Sequence, residues 1–256
     1  MITVLTLAGT GEPQPERDRV YGMPSHVTRE LDTSRFDCRP VQYPASYGPA
    51  PQLWGIDYEA SVELGLARLI SAIRFTDNRV GVIAYSQGAT VLTMMLERMA
   101  AGQYPDVELA FAALIANPLR APEWPSIDGS NVGYGIAGAH APWPTGFPVW
   151  EVANPHDPIP CCPANSPLRG FADLTARFSF SDPARWGVDL VERAIQHRHS
   201  QRFEIGWWSA RRAVDDALNY LVRGQHSAYL SMPVPTFQGR TYCAELARLI
   251  NTQVRE

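Results

Sequence analysis

A serine at the junction of a strand and a helix constrains this chain more than any other feature of its sequence. The apolar run at residues 80–84 is typical of a buried strand, and residues 89–98 have the pattern of a helix. Ser86 lies in the tight turn between them, with small residues on either side. Such a turn lifts the hydroxyl off the end of the sheet and places it at the positive end of the helix dipole. The pattern predicts that Ser86 is a nucleophile, although Ala84 occupies a position where glycine is usual.

The composition excludes several other kinds of chemistry. All 22 basic residues are arginine, and without lysine the chain has no Walker A phosphate loop, Schiff-base lysine or Ser–Lys dyad. A net charge of −4 argues against a nucleic-acid partner. The spacing of cysteine and histidine is not that of a zinc site, so we expect neither a metal nor a cofactor.

The N terminus and the cysteines bear on the cellular compartment. Residues 1–8 lack the basic and long apolar segments of a signal peptide and are predicted to form a strand. No apolar run in the sequence reaches the length of a transmembrane helix. Without a secretory signal we expect reduced thiols at Cys38, Cys161, Cys162 and Cys243, with a disulfide from the vicinal pair as the alternative.

Strands and helices alternate along the chain, which predicts the α/β class with a central parallel sheet flanked by helices. The serine turn is the nucleophile elbow of the α/β-hydrolases, so we expect their sheet. Strands are predicted at residues 2–8, 39–43, 80–84, 109–116 and 149–152, and helices at 58–75, 89–101 and 241–252. Residues 167–223 look mostly helical and interrupt the alternation. We therefore expect a hydrolase core at 1–164 and 224–256, with an inserted helical lid at 165–223.

The order of catalytic residues in this fold predicts the acid, which should come after the serine and directly follow a late strand. Asp157 lies in a proline-rich turn just beyond the predicted strand at 149–152, which makes it the candidate. The alternative is that Asp157 is only a turn residue, because aspartate before proline is a common turn signal. Asp128 and Asp173 are second choices, since neither directly follows a strand.

The same order predicts the base, which should lie near the C terminus. His226 follows the inserted helices and precedes the last helix, so it is the candidate. Position in the chain disfavours the other five histidines, which are His26, His140, His156, His197 and His199.

Two backbone N–H groups are needed to stabilise a developing oxyanion. One should come from Gln87, directly after the nucleophile, and the other from Thr10 in the glycine-rich loop after the first strand. That loop alone is a weak signal, because glycine turns follow many first strands. In the resulting mechanism His226 takes the proton of Ser86, which attacks a carbonyl, while Asp157 orients the imidazole. Water then cleaves the acyl-enzyme.

Four short stretches carry a resemblance to a known family. They are residues 9–13 (GTGEP), 43–45 (YPA), 85–89 (YSQGA) and 116–120 (ANPLR). A loop with His226 and Tyr229, a final helix and a helical insertion before that histidine are similar as well. Over nearly its whole length the chain resembles lysin B, a cutinase-like serine esterase of phages that infect mycobacteria and related actinobacteria. The turn at Asp157 also resembles the acid loop of cutinases, in which a cysteine follows the aspartate.

The resemblance implies hydrolysis of the ester that links mycolic acids to arabinogalactan, which detaches the outer layer of the mycobacterial envelope during phage lysis. The substrate would be mycolyl-arabinogalactan or another lipid ester. The chain would be made in the host cytoplasm, act at the cell envelope and be a monomer. Two alternatives stay open, because a fold does not fix a function. One is a cutinase- or lipase-like esterase of another substrate, and the other is a virion-associated protein that binds the cell surface.

Overall fold

The computed structural model describes residues 1–12, 18–47, 56–144, 146–166, 168–169 and 224–255. The strands in this part of the chain are β1 (Ile2–Leu7), β2 (Phe36–Pro40), β3 (Arg79–Tyr85), β4 (Leu109–Ile115) and β5 (Val149–Val152). The α-helices are α1 (Gly22–Thr28), α2 (Tyr58–Arg74), α3 (Gln87–Ala100) and α4 (Tyr242–Gln253). Two short 3-10 helices, Gln225–Leu230 and Pro235–Phe237, precede α4.

The five strands form one parallel sheet in the order β2-β1-β3-β4-β5. Every residue of β1 and β4 is buried, as expected for parallel strands that are covered on both faces. Leu5 and Leu7 point from β1 into the core beneath α2 and α3, whereas Ile2 and Val4 point into the core beneath α1 and α4. This layered parallel sheet confirms the α/β class predicted from the sequence.

The long helices form where apolar stripes and capping residues predict them. In α2 the buried Val62, Leu66, Leu69 and Ile73 recur every three or four residues and therefore face the sheet. Asp57 caps this helix by accepting a hydrogen bond from a backbone N–H of its first turn. Thr241 caps α4 in the same way.

The second strand lies earlier than the sequence predicts. We expected it at residues 39–43, but β2 runs from Phe36 to Pro40, with Phe36 opposite Ile2 and Pro40 opposite Thr6. The prediction was wrong because it followed burial: Val41 and Tyr43 are buried, but they lie in the loop after the end of β2. The sequence pattern also missed α1, and it placed the start of α3 two residues too late.

The predicted lid at 165–223 lies almost entirely outside the described residues, so that division of the chain stays a prediction. None of the helices in the described ranges is long and apolar enough to cross a membrane.

All four cysteines are free thiols. Burial raises the pKa of Cys161 and Cys243 to about 12, so both thiols are protonated at neutral pH.

One carboxyl group is fully enclosed in this core. Glu151, on β5, is 2% exposed and accepts a hydrogen bond of 2.7 Å from the side-chain amide of Asn117. Its second oxygen has no hydrogen-bond partner within the described residues. Burial raises the pKa of Glu151 to about 8, and the opposing effects of Asn117 and the nearby Arg120 are smaller.

Glu151 should make the protein less stable as the pH rises. Its pKa is higher in the folded than in the unfolded chain, so between pH 4.5 and about 8 the folded state holds a proton that the unfolded state releases. This difference lowers the free energy of unfolding by on the order of 4 kcal/mol across that range. The variant Glu151→Gln cannot titrate and should gain stability relative to wild type as the pH rises. Urea unfolding at pH 5 and pH 8 would test this, and an equal difference between the two proteins at both pH values would contradict it.

Candidate active site

The nucleophile elbow lies where β3 ends and α3 begins. Ser86 has φ 53° and ψ −114°, a backbone conformation that is rare for any residue other than glycine. Its N–H donates to the carbonyl of Ile115 on the neighbouring strand at 2.9 Å, and its carbonyl accepts from Thr90 in the first turn of the helix. The sheet on one side and the helix on the other hold the strained serine in place.

Close packing around the elbow explains the small residues on either side of the serine. A Cβ atom at Gly88 would lie 2.6 Å from the carbonyl oxygen of Leu7, so the start of α3 can approach β1 only because residue 88 is glycine. A Cβ atom at Gly9 would lie 2.7 Å from the ring of Tyr85 and 3.2 Å from Cβ of Ser86. The loop after β1 therefore runs directly beside the nucleophile. Ala84, where glycine is usual, is fully buried and leaves this geometry intact.

The three residues predicted to act together are in contact. Nε2 of His226 lies 2.9 Å from Oγ of Ser86, and its Nδ1 lies 2.8 Å from Oδ2 of Asp157. Asp157 comes from the loop after β5, and His226 comes from the 3-10 helix before α4. The side chain of Asp157 is fully buried, and that of His226 is 14% exposed. This arrangement allows a proton to pass from the serine to a histidine that a buried carboxylate orients.

The carboxylate of Asp157 has two further partners. Its Oδ1 accepts from the backbone N–H of Ile159 at 3.0 Å. Its Oδ2 accepts from the hydroxyl of Tyr229 at 2.8 Å as well as facing the histidine. Full burial of a carboxylate is costly unless its oxygens are hydrogen-bonded, and here both are. From the sequence, Tyr229 is visible only as part of the loop that resembles a known family, without a role of its own.

Further contacts orient the imidazole of His226. The ring of Tyr85 stacks against it with centroids 5.2 Å apart, and the hydroxyl of Tyr85 donates to the carbonyl of His226 at 2.8 Å. The side-chain amide of Asn154 in the acid loop donates to the carbonyl and side-chain oxygens of Gln225. Gly224, with φ 61°, makes the turn that begins this segment.

The alternative acids and bases do not meet Ser86 in the described part of the chain. Asp128 accepts from the hydroxyl of Tyr242 at 2.6 Å and from Ser130. His140 stacks on Trp143 with centroids 3.4 Å apart. Two other histidines are accounted for elsewhere, since His26 contacts Arg29 and His156 is exposed. The remaining alternatives, Asp173, His197 and His199, lie outside the described residues.

The predicted oxyanion donors lie on either side of the elbow. Thr10 is exposed in the turn after β1, and Gln87 is the first residue of α3. In the ranges that the structure describes, neither backbone N–H donates to another protein atom. The neighbouring N–H groups of the loop are engaged, since Gly9 donates to Glu12 and Gly11 donates to the carbonyl of Ala45. Thr10 and Gln87 can therefore serve as donors to a bound ligand, which leaves their role a prediction.

Glu12 holds the loop after β1 in shape. One carboxylate oxygen accepts from the backbone N–H of Gly9 at 2.8 Å, and the other accepts from that of Met23 at 2.7 Å. Gly22 at the start of α1 has φ 64°, which favours glycine, and a Cβ atom there would lie 2.5 Å from this carboxylate. Burial raises the pKa of Glu12, which the two N–H donors and the nearby His226 partly offset. From the sequence, Glu12 is visible only as one residue of the motif at 9–13, without a role of its own.

Removing the carboxylate of Glu12 should slow the reaction more than it weakens substrate binding. In Glu12→Ala the loop loses both hydrogen bonds, and the segment of Gly9 and Thr10 would no longer be held in its position next to the elbow. Misplacing one oxyanion donor costs up to about 10²–10³ in kcat, so we expect a decrease of on the order of 10² with little change in KM. Steady-state kinetics on a soluble ester would measure it. Glu12→Gln keeps one acceptor oxygen, so its kcat should lie between those of wild type and Glu12→Ala. A normal kcat in Glu12→Ala would refute the role of Glu12 in positioning the loop.

The loop after β2 also contacts the elbow and the loop after β1. The side-chain amide of Gln87 donates to the carbonyl of Ser46 at 2.8 Å. The hydroxyl of Tyr43 donates to the carbonyl of Ala8 at 2.5 Å. Ala45 has φ 46°, which turns its carbonyl toward the loop after β1. The tyrosine–proline–alanine motif of the sequence therefore acts as a support for the elbow.

A buried arginine supports the acid loop. Arg120 is fully buried and follows β4 in the asparagine–proline–leucine–arginine motif. Its guanidinium donates to oxygen atoms of five residues at 2.6–3.2 Å, which are Pro160, Trp124, Asn131, Val132 and Gly133. The backbones of Tyr134 and Cys162 also pair through two hydrogen bonds. The segment after β4 thus fixes the position of the loop that carries Asp157.

Part of this chain is similar in sequence to a known domain family. The model of the PE-PPE domain matches residues 36–146, which is less than half of the chain. No curated protein sequence matches this chain significantly.

In the described ranges no group of three or more His, Cys, Asp and Glu side chains could hold a metal ion.

Several solved structures are similar to this one. Lysin B from mycobacteriophage D29 is 20% identical with a TM-score of 0.56, and the match covers 83% of this chain and 97% of that one. The catalytic core domain of acetyl xylan esterase from Trichoderma reesei is 20% identical with a TM-score of 0.48, covering 68% and 92%. A cutinase-like protein from Cryptococcus sp. is 21% identical with a TM-score of 0.45, covering 62% and 78%. The match to lysin B, together with the parallel sheet, shows that this chain has the α/β-hydrolase fold of the lysin B type.

Proposed function

We propose that this protein is a serine esterase that hydrolyses carboxylic esters through an acyl-enzyme on Ser86. The observation that carries the proposal is the continuous chain of contacts from Ser86 through His226 to Asp157, with distances of 2.9 and 2.8 Å. Three residues that are far apart in the sequence meet in the order that nucleophilic ester hydrolysis requires. The strained backbone of Ser86 and the burial of Asp157 support the same reading.

The proposed reaction begins when Nε2 of His226 removes the proton of Ser86 and the oxygen attacks the ester carbonyl. Asp157 keeps the Nδ1 proton of the imidazole directed toward itself and stabilises the imidazolium that forms. The N–H groups of Thr10 and Gln87, assisted by the positive end of α3, would bind the oxyanion. His226 then returns its proton to the leaving alcohol. In the second half, His226 activates a water molecule that cleaves the acyl-enzyme.

For the substrate we propose the ester between mycolic acid and arabinogalactan, or a closely related lipid ester. The proposal rests on the similarity of fold to lysin B and on the sequence motifs that resemble that family. It places the action of the protein at the envelope of a mycobacterial or related host, where the chain would work as a monomer. An esterase of the same fold with another substrate remains the second candidate.

A fluorophosphonate probe tests the mechanism without any assumption about the acyl group. Such probes phosphonylate a serine whose proton a neighbouring base can remove. We expect intact-protein mass spectrometry to show a single adduct and peptide mapping to place it on Ser86. Heat-denatured protein is the control and should not react. An adduct on another residue, or none on the native protein, would contradict the proposed nucleophile.

Release of free mycolic acids from purified mycolyl-arabinogalactan tests the substrate. We expect release by the native protein and none above background after complete fluorophosphonate labelling. A short-chain p-nitrophenyl ester assayed in parallel separates the two candidates. Activity on the soluble ester without release of mycolic acids would keep the esterase and reject this substrate, whereas activity on neither would favour a cell-surface binding protein.

A further inference from the structure

A tyrosine hydroxyl shares the catalytic carboxylate with the histidine. Oδ2 of Asp157 is 2.8 Å from the hydroxyl of Tyr229 and 2.8 Å from Nδ1 of His226. The hydroxyl also accepts a hydrogen bond of 3.1 Å from the backbone N–H of Asn154. Since that N–H fills an acceptor position on the hydroxyl, the phenol hydrogen points at the carboxylate. Tyr229 and Asp157 are both fully buried, so water cannot compete for this bond.

From this geometry we propose that Tyr229 is a positioning residue that limits how strongly Asp157 holds His226. The proposal rests on the function proposed above. A carboxylate oxygen that accepts two hydrogen bonds shares its negative charge between them, so the phenol draws electron density away from the imidazole. His226 must release its Nε2 proton to act as a base at neutral pH. The phenol weakens the attraction between the carboxylate of Asp157 and the imidazolium form of His226. It thereby favours the neutral imidazole, which can accept the serine proton.

Burial keeps this phenol protonated, because it raises the pKa of Tyr229 well above 10 and the charge of Asp157 adds to the effect. Other groups also face the pair. Glu12 from the loop after β1 interacts with His226, and Tyr85 from β3 stacks on it. Cys161 in the acid loop interacts with Asp157, and burial keeps its thiol protonated. All of these groups are unchanged in a Tyr229 variant. A difference in the titration midpoint of His226 between the variant and wild type therefore reports the effect of the phenol.

The chain contains a matched control for the loss of a buried phenol. Tyr242 packs against Tyr229 with ring centroids 5.5 Å apart. Its hydroxyl donates to the carboxylate of Asp128 at 2.6 Å, and Asp128 has no contact with His226 among the described residues. Tyr242→Phe therefore removes the same kind of hydrogen bond, from the same part of the core, without touching Asp157.

Two pH titrations test the proposal. The first is the dependence of kcat/KM on pH, and the second is the ring-proton NMR titration of His226 in histidine-labelled protein, which needs no activity. In Tyr229→Phe we expect the midpoint of both to move to higher pH by on the order of half a unit, because Asp157 now holds the imidazolium more tightly. KM should change little. In Tyr242→Phe both midpoints should equal those of wild type.

Unchanged midpoints in Tyr229→Phe, or equal shifts in the two variants, would overturn the proposal and leave Tyr229 a structural residue. If Tyr229→Phe does not fold, 3-fluorotyrosine at this position keeps the hydroxyl and makes it a stronger donor. The midpoints should then move to lower pH, and no movement would count against the proposal. A wild-type protein without ester hydrolysis would defeat the proposed function alone, since the NMR titration would still report whether Tyr229 acts on His226.

Discussion

Replacing Ser86 with alanine should reduce kcat for ester hydrolysis by about 10⁶-fold, because loss of the nucleophile in a serine hydrolase disables the whole triad. The fold should survive the change. Alanine already adopts a positive φ elsewhere in this fold, at Ala45 and Ala116, with φ of 46° and 53°. The hydroxyl of Ser86 also forms no capping hydrogen bond with α3. The variant should therefore lose the nucleophilic oxygen and keep the backbone turn between β3 and α3.

Hydrolysis of a p-nitrophenyl ester by wild type and Ser86→Ala would measure the loss, with circular dichroism and thermal unfolding to compare the folds. A variant that unfolds at the wild-type temperature and shows only background hydrolysis would agree with the prediction. A correctly folded variant with more than a few per cent of the wild-type rate would mean that another residue carries the reaction.

Replacing Asp157 with asparagine should lower kcat by on the order of 10⁴. Oδ1 of Asp157 accepts from the N–H of Ile159, so the asparagine should keep its carbonyl oxygen there and turn its NH₂ toward His226. An NH₂ group donates, and Nδ1 of His226 would then have to accept. The remaining proton would sit on Nε2, where it prevents the histidine from taking the proton of Ser86. The loss therefore comes from the wrong tautomer and not from a missing contact.

Asp128→Asn is the matched control, since the carboxylate of Asp128 also accepts a hydrogen bond from a tyrosine hydroxyl and Asp128 was an alternative acid. We expect it to retain nearly normal kcat, because Asp128 bonds to Tyr242 and Ser130 and not to the histidine. Kinetics of the two variants under the same conditions would decide the assignment. Loss of activity in Asp128→Asn together with normal activity in Asp157→Asn would reverse it.

The sequence predicts which three residues come into contact here because its strongest signal, the turn at Ser86, is local. The strand, turn and helix around Ser86 form a continuous pattern, and the order of residues along the chain then selects Asp157 and His226 from several alternatives. The position of β2 was misjudged because buried loop residues such as Val41 have the same apolar pattern as a strand. The short helix α1 was missed because residues 22–28 have little helical periodicity.

The supporting residues could not be predicted in the same way. Tyr229 lies 72 positions from the aspartate it contacts, and no spacing rule links the two. Glu12 looks like an ordinary loop residue until α1, which the sequence did not predict, supplies the N–H of Met23. Arg120 looks like a surface cation, since arginine is seldom fully buried. Such roles depend on contacts between distant segments and become visible only once the chain is folded.

The hydrogen bonds of Arg120 have a consequence for the conditions under which the protein can work. Dissolved ions weaken attraction between opposite charges, but the oxygens that Arg120 contacts are carbonyl and amide oxygens without charge. The nearby Glu151 is mostly neutral at pH 7, since its pKa is about 8. Concentrated brine should therefore leave the hydrogen bonds between Arg120 and the segments around the acid loop unchanged. A loss of activity at high ionic strength would then not come from a displaced acid loop.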